Sequence, residues 1–260
     1  MAKTPKLTDA LADVRARIAA AAARSKRAAG DVTLVAVTKY APPEAVREIL
    51  QLGVVDLGES RVQQLVQRAS QISEGMQRRR LGGDATAVAA VSSTPRWHMI
   101  GRLQRNKIKP LLPLVHAVHS IDTLRVAEEI DAAAAKIGRT VPVLLQVNAS
   151  EEPQKAGVGV AAALHLGEQI ATMTNVQIVG LMTMPAEGSD EKTLRQNFTR
   201  VREIFEEMRW HKIGGAGFRH LSMGMSGDYE IAIEEGSTMV RVGSALFGEK
   251  PDTADDGDED

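Results

Sequence analysis

Lys39 is the first residue whose type and position could do covalent chemistry. The apolar run before it, Thr33–Thr38 (TLVAVT), alternates its side chains between two faces, so Val35, Val37 and Lys39 share one side. If that side faces a protein interior, burial would lower the pKa of the Lys39 ammonium and make its amine nucleophilic toward an aldehyde. The alternative is a lysine at a strand end that reaches out to water with its charge.

Two short segments rich in glycine and serine could bind an anion. Ser222–Gly227 reads SMGMSG, and Gly243–Ala245 reads GSA. Glycine lets backbone N–H groups approach an anion closely, and serine hydroxyls add further donors. Either segment alone is typical of an ordinary turn with a helix cap. Arg241 lies two residues before Gly243, on the same face of its strand, and adds a positive charge.

The elements that must position these residues are short β-branched runs that alternate with helical stretches along the chain. A helix, Leu7–Ala29, precedes the first run. Eight runs follow, each separated from the next by a segment of helical character. They are Thr33–Thr38, Val54–Gly58, Trp97–Ile100, Ala117–His119, Val141–Asn148, Val176–Met182, Phe218–Ser222 and Met239–Val242.

Strict alternation of strand and helix predicts parallel βαβ units in an α/β fold. Eight units in about 250 residues match a closed (β/α)8 barrel, the TIM barrel, with the N-terminal helix as an extra element. An open doubly wound sheet is the alternative, but it usually has a glycine-rich first turn, which this chain lacks. In a barrel, the loops after strands seven and eight often bind phosphate, and strand eight neighbours strand one. Lys39, Arg241 and both glycine-serine segments would then share one corner, which suits a phosphorylated aldehyde bound as an imine.

The composition is that of an ordinary globular protein and excludes several classes. Of 260 residues, 43% are hydrophobic and 25% are charged, and the formal net charge of -1 does not favour nucleic-acid binding. The absence of cysteine excludes disulfides and thiolate metal sites and fits the cytoplasm. No apolar run is long enough to predict a membrane span. The histidines show no metal-ligand spacing, so we expect no metal site and ordinary positions for His98, His116, His119 and His220.

Residues 1–250 are predicted to form one barrel domain. Glu74–Ser93 interrupts the rhythm and is predicted to be a loop insertion at the barrel end opposite the site. Residues 251–260 (PDTADDGDED) are predicted to be a disordered acidic tail.

Six segments together resemble a known family, the pyridoxal phosphate homeostasis proteins (YggS/PROSC family). The resemblance is ordered and runs from the first strand to the last. The segments are Val35–Lys39 (VAVTK), Leu57–Ser60 (LGES), Trp97–Lys107 (WHMIGRLQRNK), His119–Asp122 (HSID), Leu221–Ser226 (LSMGMS) and Val240–Gly248 (VRVGSALFG).

The resemblance implies a single barrel like the N-terminal domain of alanine racemase, with pyridoxal 5'-phosphate (PLP) held as an internal aldimine on Lys39. It implies a cofactor site with the phosphate among serines and glycines, an arginine near the pyridine nitrogen, and Met225 as pocket lining. Those residues are Lys39, Ser222, Met225, Ser226, Arg241, Gly243 and Ser244. The family usually reads GENYVQE after the second strand, whereas here Ser60 and Arg61 replace the asparagine and tyrosine, which puts any contact made by those two in doubt.

Three functions remain to be weighed. The first is a PLP homeostasis protein that holds the cofactor and delivers it, with PLP-requiring apo-enzymes as candidate recipients. The second is a PLP-dependent amino-acid racemase, and the third is an isomerase or aldolase that uses Lys39 on a sugar phosphate without a cofactor. An arginine near the pyridine nitrogen disfavours its protonation and so weakens carbanion stabilisation, and no second catalytic base is evident except Tyr229. In the racemases that the chain resembles, that second group comes from an added β domain or a partner subunit, and eight βα units leave only the tail here. We therefore expect the first function, in a monomeric cytoplasmic protein that binds neither nucleic acid nor membrane.

Overall fold

Eight parallel strands close into a barrel in the computed structural model, which describes residues 6–81, 94–152, 154–186 and 188–249. Each strand pairs with its neighbours in chain order, and β1 pairs with β8, so the ring is complete. The strands are β1 (Thr33–Val37), β2 (Asp56–Glu59), β3 (Arg96–Met99), β4 (Val115–Ile121), β5 (Val141–Asn148), β6 (Val176–Met182), β7 (His220–Ser222) and β8 (Met239–Val242). The predicted barrel is confirmed, and the open sheet is excluded.

Helices cover the outside of the barrel. They are α1 (Leu7–Arg24), α2 (Pro43–Gln51), α3 (Val62–Leu81), α4 (Ile108–Leu111), α5 (Leu124–Ala135), α6 (Val160–Ala171), α7 (Glu191–Trp210), α8 (Tyr229–Glu234) and α9 (Ser244–Phe247). A two-residue strand, Val158–Gly159, pairs with the end of β5 outside the ring. No helix among the described residues is both long and apolar enough to cross a membrane.

Two apolar layers hold the barrel together. The larger layer lies between the strands and the helices; α5, for example, buries Ala127, Ile130 and Ala134, which its helical periodicity places on one face. The smaller cluster lies inside the barrel and consists of Ala117, Leu144, Val179 and Met182. Polar side chains are buried in the barrel as well, among them His98, His119 and Arg241.

The N-terminal helix α1 packs against the side of the barrel, on α8 and α9. Its apolar face buries Leu11, Val14 and Ile18. Three ion pairs join its polar edge to α8: Arg17 to Glu230 at 2.5 Å, Arg24 to Glu234 at 2.5 Å and Arg24 to Glu230 at 3.4 Å. The predicted extra helix is therefore present, and it braces the helix that follows the SMGMSG segment.

One expectation about the chain organisation is wrong in part. The helix α3 continues through Leu81, so the segment from Glu74 onward, expected as a loop, begins as helix. Its polar residues, such as Gln77, are compatible with an exposed helix as well as with a loop, which is why the local pattern does not separate the two. The remainder of that segment, 82–93, and the acidic tail, 251–260, lie outside the described residues, and the domain boundaries stay a prediction.

Candidate functional site

Lys39 lies at the mouth of the barrel, two residues beyond the end of β1. Of the two alternatives that the sequence left open, the structure shows the lysine that reaches out to water, because its side chain is exposed. The reason is that regular pairing of β1 ends at Val37, and the buried residue of the turn that follows is Thr38. The Lys39 ammonium lies 4.8 Å from the ring centroid of Tyr40, so an aromatic face and water surround the amine, not an apolar wall.

A buried carboxylate braces the turn that carries Lys39. Glu59, at the end of β2, is fully buried; it accepts a hydrogen bond from the Thr38 hydroxyl and pairs with Arg68 at 2.9 Å. Arg68 also donates to the carbonyl oxygen of Ala41 at 2.9 Å, which ties the far side of the turn to the same pair. Burial raises the pKa of Glu59, against the opposing effects of Thr38 and Arg68. Glu59 is not among the site residues that the sequence analysis expects.

The glycine-serine segments after β7 and β8 meet at one point. The Ser226 hydroxyl oxygen accepts hydrogen bonds from the backbone N–H groups of Gly243 at 3.1 Å and Ala245 at 3.3 Å. Two backbone amides thus converge on one oxygen atom, as they would on an oxygen of a bound anion. Gly224 shapes the first segment: its φ is +98°, and a Cβ at this position would lie 2.8 Å from the Tyr229 Cα, so the turn has room for glycine alone.

This anion cradle adjoins the end of β1. A Cβ at Gly243 would lie 3.4 Å from both the Cβ and the carbonyl oxygen of Val37, which is two residues before Lys39. Ser244 and Met225 are exposed at the same end of the barrel. The described residues show no hydrogen bond from Lys39 to the cradle, so the structure makes them neighbours without joining them.

Arg241 projects from β8 into the barrel and is almost completely buried. Its guanidinium donates to the Ser222 hydroxyl at 2.6 Å and to the Thr183 carbonyl oxygen at 2.9 Å. Burial lowers the pKa of Arg241 to about 10, so the group remains positive near pH 7. Two of its five N–H donors are engaged within the described residues, which leaves three for other acceptors.

A row of hydrogen-bonded side chains continues from Ser222 through the barrel interior. Ser222 Oγ lies 3.1 Å from His119 Nδ1, His119 Nε2 lies 2.9 Å from His98 Nδ1, and His98 Nε2 lies 3.0 Å from Asp56 Oδ1. Burial lowers the pKa of His119 well below its usual value, an effect reinforced by the neighbouring His98 and Arg241. Sequence reasoning took these histidines for ordinary ones. Which inward side chains meet depends on the register between β3 and β4, and the local sequence pattern does not give that register.

The phenol of Tyr229, the remaining candidate for a second base, belongs to the outer layer under α1. Its ring packs in the apolar layer between strands and helices, and the Arg17 guanidinium lies 5.1 Å from its centroid. Burial raises the pKa of the phenol above its usual value. No group of three side chains able to hold a metal ion is present in the ranges that the structure describes.

Comparison with known proteins gives one consistent result. The family model for the alanine racemase N-terminal domain matches residues 11–251. The chain is 35% identical over 240 residues to the pyridoxal phosphate homeostasis protein of Aquifex aeolicus, covering 92% of this chain and 96% of that protein. It is 32% identical over 242 residues to the protein of the same name from Pseudomonas aeruginosa, covering 93% and 95%.

Solved structures agree with the sequence relatives. PipY of Synechococcus elongatus with PLP bound superposes with a TM-score of 0.76 at 28% identity, covering 94% of this chain and 100% of PipY. A protein of unknown function from Bifidobacterium adolescentis superposes with a TM-score of 0.83 at 37% identity, covering 93% and 94%. Alanine racemase from Corynebacterium glutamicum shares only the fold, with a TM-score of 0.59 at 14% identity over 96% of this chain and 64% of the racemase.

Proposed function

Since the chain belongs to the family of pyridoxal phosphate homeostasis proteins, whose barrel is that of the alanine racemase N-terminal domain, we propose that it binds PLP and serves PLP homeostasis by holding and delivering the cofactor. The observation that carries this proposal is one corner of the barrel mouth. There the Gly243 turn, which donates amides to Ser226, packs against Val37 beside the Lys39 turn. An amine, an anion cradle and the buried cation Arg241 therefore lie on neighbouring strand ends.

Each polar group of that corner fits one part of PLP. The amides of Gly243 and Ala245, with Ser226 and Ser244, would hold the phosphate, because backbone and hydroxyl donors suit an anion. Arg241, fixed by Ser222 and the Thr183 carbonyl, would donate to the pyridine nitrogen, and Met225 would line the pocket. When bound, the cofactor supplies an aldehyde that condenses with an amine.

We place the covalent attachment at Lys39. Its amine would hold the cofactor through the aldehyde that the cofactor supplies. The Thr38–Glu59–Arg68 brace holds the turn in place while the exposed side chain reaches the site. Exposure also suits a protein that must release its cofactor, since water and an incoming amine can reach the same atom.

The absorption spectrum of the purified protein tests this assignment. The wild type loaded with PLP is expected to show the visible band of the lysine-bound cofactor, and dialysis against a carbonyl scavenger should remove it. Lys39→Ala should lose the band with an unchanged far-ultraviolet circular dichroism spectrum. Lys155→Ala is the matched control, a lysine in the loop after β5 at the same end of the barrel. Retention of the band in Lys39→Ala would move the attachment to another lysine.

Holding, not turnover, is what the described side chains support. A racemase needs groups on both faces of the substrate carbon, and Tyr229 is committed to the outer layer with its pKa raised by burial. The permanent charge of Arg241 disfavours a proton on the pyridine nitrogen. We expect no deuterium exchange at the α-carbon of L-alanine in heavy water. Exchange at about 1 per second or faster would favour the racemase instead, and its loss in Tyr229→Phe would identify the base.

Delivery is tested with a PLP-requiring apo-enzyme as recipient. The loaded protein, separated from free cofactor, should restore activity to the apo-enzyme while its own visible band falls. An unloaded Lys39→Ala preparation is the control. If the loaded protein activates no recipient and its band is unchanged, the protein binds PLP but does not deliver it, and the delivery part of the proposal is wrong.

A further inference from the structure

The interior row from Asp56 to Arg241 has one direction of hydrogen bonding. Burial alone would raise the pKa of Asp56, but hydrogen bonds from His98 and Arg96 outweigh it and lower the pKa to about 2. Its carboxylate is therefore an acceptor only, and His98 Nε2 must carry the proton between them. In the neutral form of His98, with its one ring proton on Nε2, Nδ1 is an acceptor.

The same assignment passes on to the other end of the row. With His98 in that form, His119 Nε2 donates to His98 Nδ1, so His119 Nδ1 is an acceptor and accepts the hydrogen bond that the Ser222 hydroxyl donates. The Ser222 oxygen is then free to accept from the Arg241 guanidinium. Every donor in the row points from Arg241 toward Asp56, and each donor finds its acceptor in the next member.

A row in which every hydrogen bond runs in one direction fixes the position of the Arg241 guanidinium at its end. Arg241 has no carboxylate within hydrogen-bonding distance among the described residues, and its two bonds go to Ser222 and the Thr183 carbonyl. If the Ser222 hydroxyl turned its proton toward Arg241, donor would face donor and that bond would be lost. His119 prevents this, and His98 and Asp56 prevent His119 from changing tautomer.

We propose that His98 and His119 are positioning residues: they orient the Ser222 hydroxyl so that it holds the Arg241 guanidinium at the place where it meets the pyridine nitrogen. The contact of Arg241 with the pyridine nitrogen rests on the proposed function. The hydrogen bonds from Asp56 to Arg241 rest on the unliganded protein alone. Neither histidine touches the cofactor. Their effect reaches it only through Arg241.

The first test needs no variant and no cofactor. Nitrogen-15 NMR of histidine-labelled apo-protein reports which ring nitrogen carries the proton. Both His98 and His119 are expected as Nε2–H tautomers, with Nδ1 unprotonated and hydrogen-bonded. An Nδ1–H tautomer at either histidine would overturn the row's direction, whether or not the protein binds PLP.

The second test asks whether the histidines act through Arg241. His119→Phe is expected to weaken PLP binding about tenfold, since it removes the acceptor that orients Ser222. In an Arg241→Ala background the same substitution should change the affinity by less than about twofold, because the contact it supports is already gone. Equal losses in both backgrounds would show a general packing effect and would refute the proposal, as would an unchanged affinity in the single variant.

Two further variants keep this test decisive. Ser222→Ala removes the same link with the loss of only an oxygen atom, and should reproduce His119→Phe if that variant fails to fold. His116→Phe is the matched control: its ring contacts His98 edge-on with centroids 5.4 Å apart, yet it makes no bond of the row. Its affinity should equal that of the wild type. If the wild type itself shows no PLP binding, the proposed function fails while the NMR result stands.

Discussion

Replacing Asp56 with asparagine tests how much the carboxylate charge at the end of the interior row contributes to stability. Asparagine has the shape of a protonated carboxyl group, so the Asp56→Asn variant keeps the size of the side chain and removes its ionisation. His98 loses a charged acceptor for its Nε2 proton, and Arg96, which binds Asp56 at 2.5 and 2.7 Å, now meets a neutral amide. We expect the variant to fold and to be less stable than the wild type.

The magnitude follows from the pKa of Asp56. The folded protein lowers it from 3.8 to about 2, although the carboxylate is buried. Each unit is worth about 1.4 kcal/mol, so ionised Asp56 stabilises the fold by about 2 kcal/mol at neutral pH. The Arg96 side chain is half exposed and screened by water, so most of this effect passes through His98.

Urea denaturation measures the loss. At pH 7 the free energy of unfolding of Asp56→Asn should fall by about 2 kcal/mol with an unchanged slope, and the melting temperature by about 4–8 °C. Because the folded pKa is depressed, the contribution is complete well above pH 3.8 and is lost as the pH falls through about 2; at pH 3 about half of it remains. The exposed Glu128→Gln is the control and should change stability by less than about 0.5 kcal/mol. A variant as stable as the wild type at pH 7, or a difference that stays the same at pH 2, would refute the reasoning.

Three further predictions concern the barrel and the cradle. Gly180→Ala should destabilise the protein by about 2 kcal/mol or more in urea denaturation, because its Cβ would lie 1.7 Å from the His220 carbonyl oxygen, whereas Gly30→Ala, with open space around it, should change little. Ser226→Ala should weaken PLP binding about tenfold in a titration of the apo-protein, since the phosphate loses one of several donors; an unchanged affinity would remove Ser226 from the site. Burial lowers the pKa of His119 and His220, so these side chains bind protons more readily in the unfolded chain than in the folded protein. The free energy of unfolding should therefore fall as the pH drops below about 6.5, and less steeply in His119→Phe. A free energy of unfolding that stays constant from pH 8 to 5 would contradict this.

The barrel could be predicted from the sequence because its determinants are local. The bounds of Val141–Asn148, Val176–Met182 and Met239–Val242 agree with the structure residue for residue, since β-branched runs bounded by helical segments leave little freedom. The pairing of β1 with β8 follows from closing eight such units. The Lys39 environment does not follow, because alternation holds only while a strand is paired, and β1 ends at Val37.

The interior row was beyond sequence reasoning for a different reason. Which inward side chains meet depends on register, and the pairing of β3 with β4 shifts between Trp97 and His98. Trp97 lies opposite Val115 while His98 lies opposite Ala117, so His116 is skipped. That single extra residue brings His119 to His98. Nothing in the local pattern of either strand indicates it.

The ion pairs of α1 with α8 have a consequence for biosynthesis. Arg17 and Glu230 are 213 positions apart in the chain, and β1 must wait for β8 before the ring can close. The helices α8 and α9, which pack on α1, leave the ribosome only near the end of translation, so part of the apolar face of α1 stays uncovered while most of the polypeptide is made. Contacts that join the two ends of a sequence also slow folding, because the intervening loop must be closed first. During synthesis the nascent chain therefore exposes an apolar helix face that the finished barrel buries.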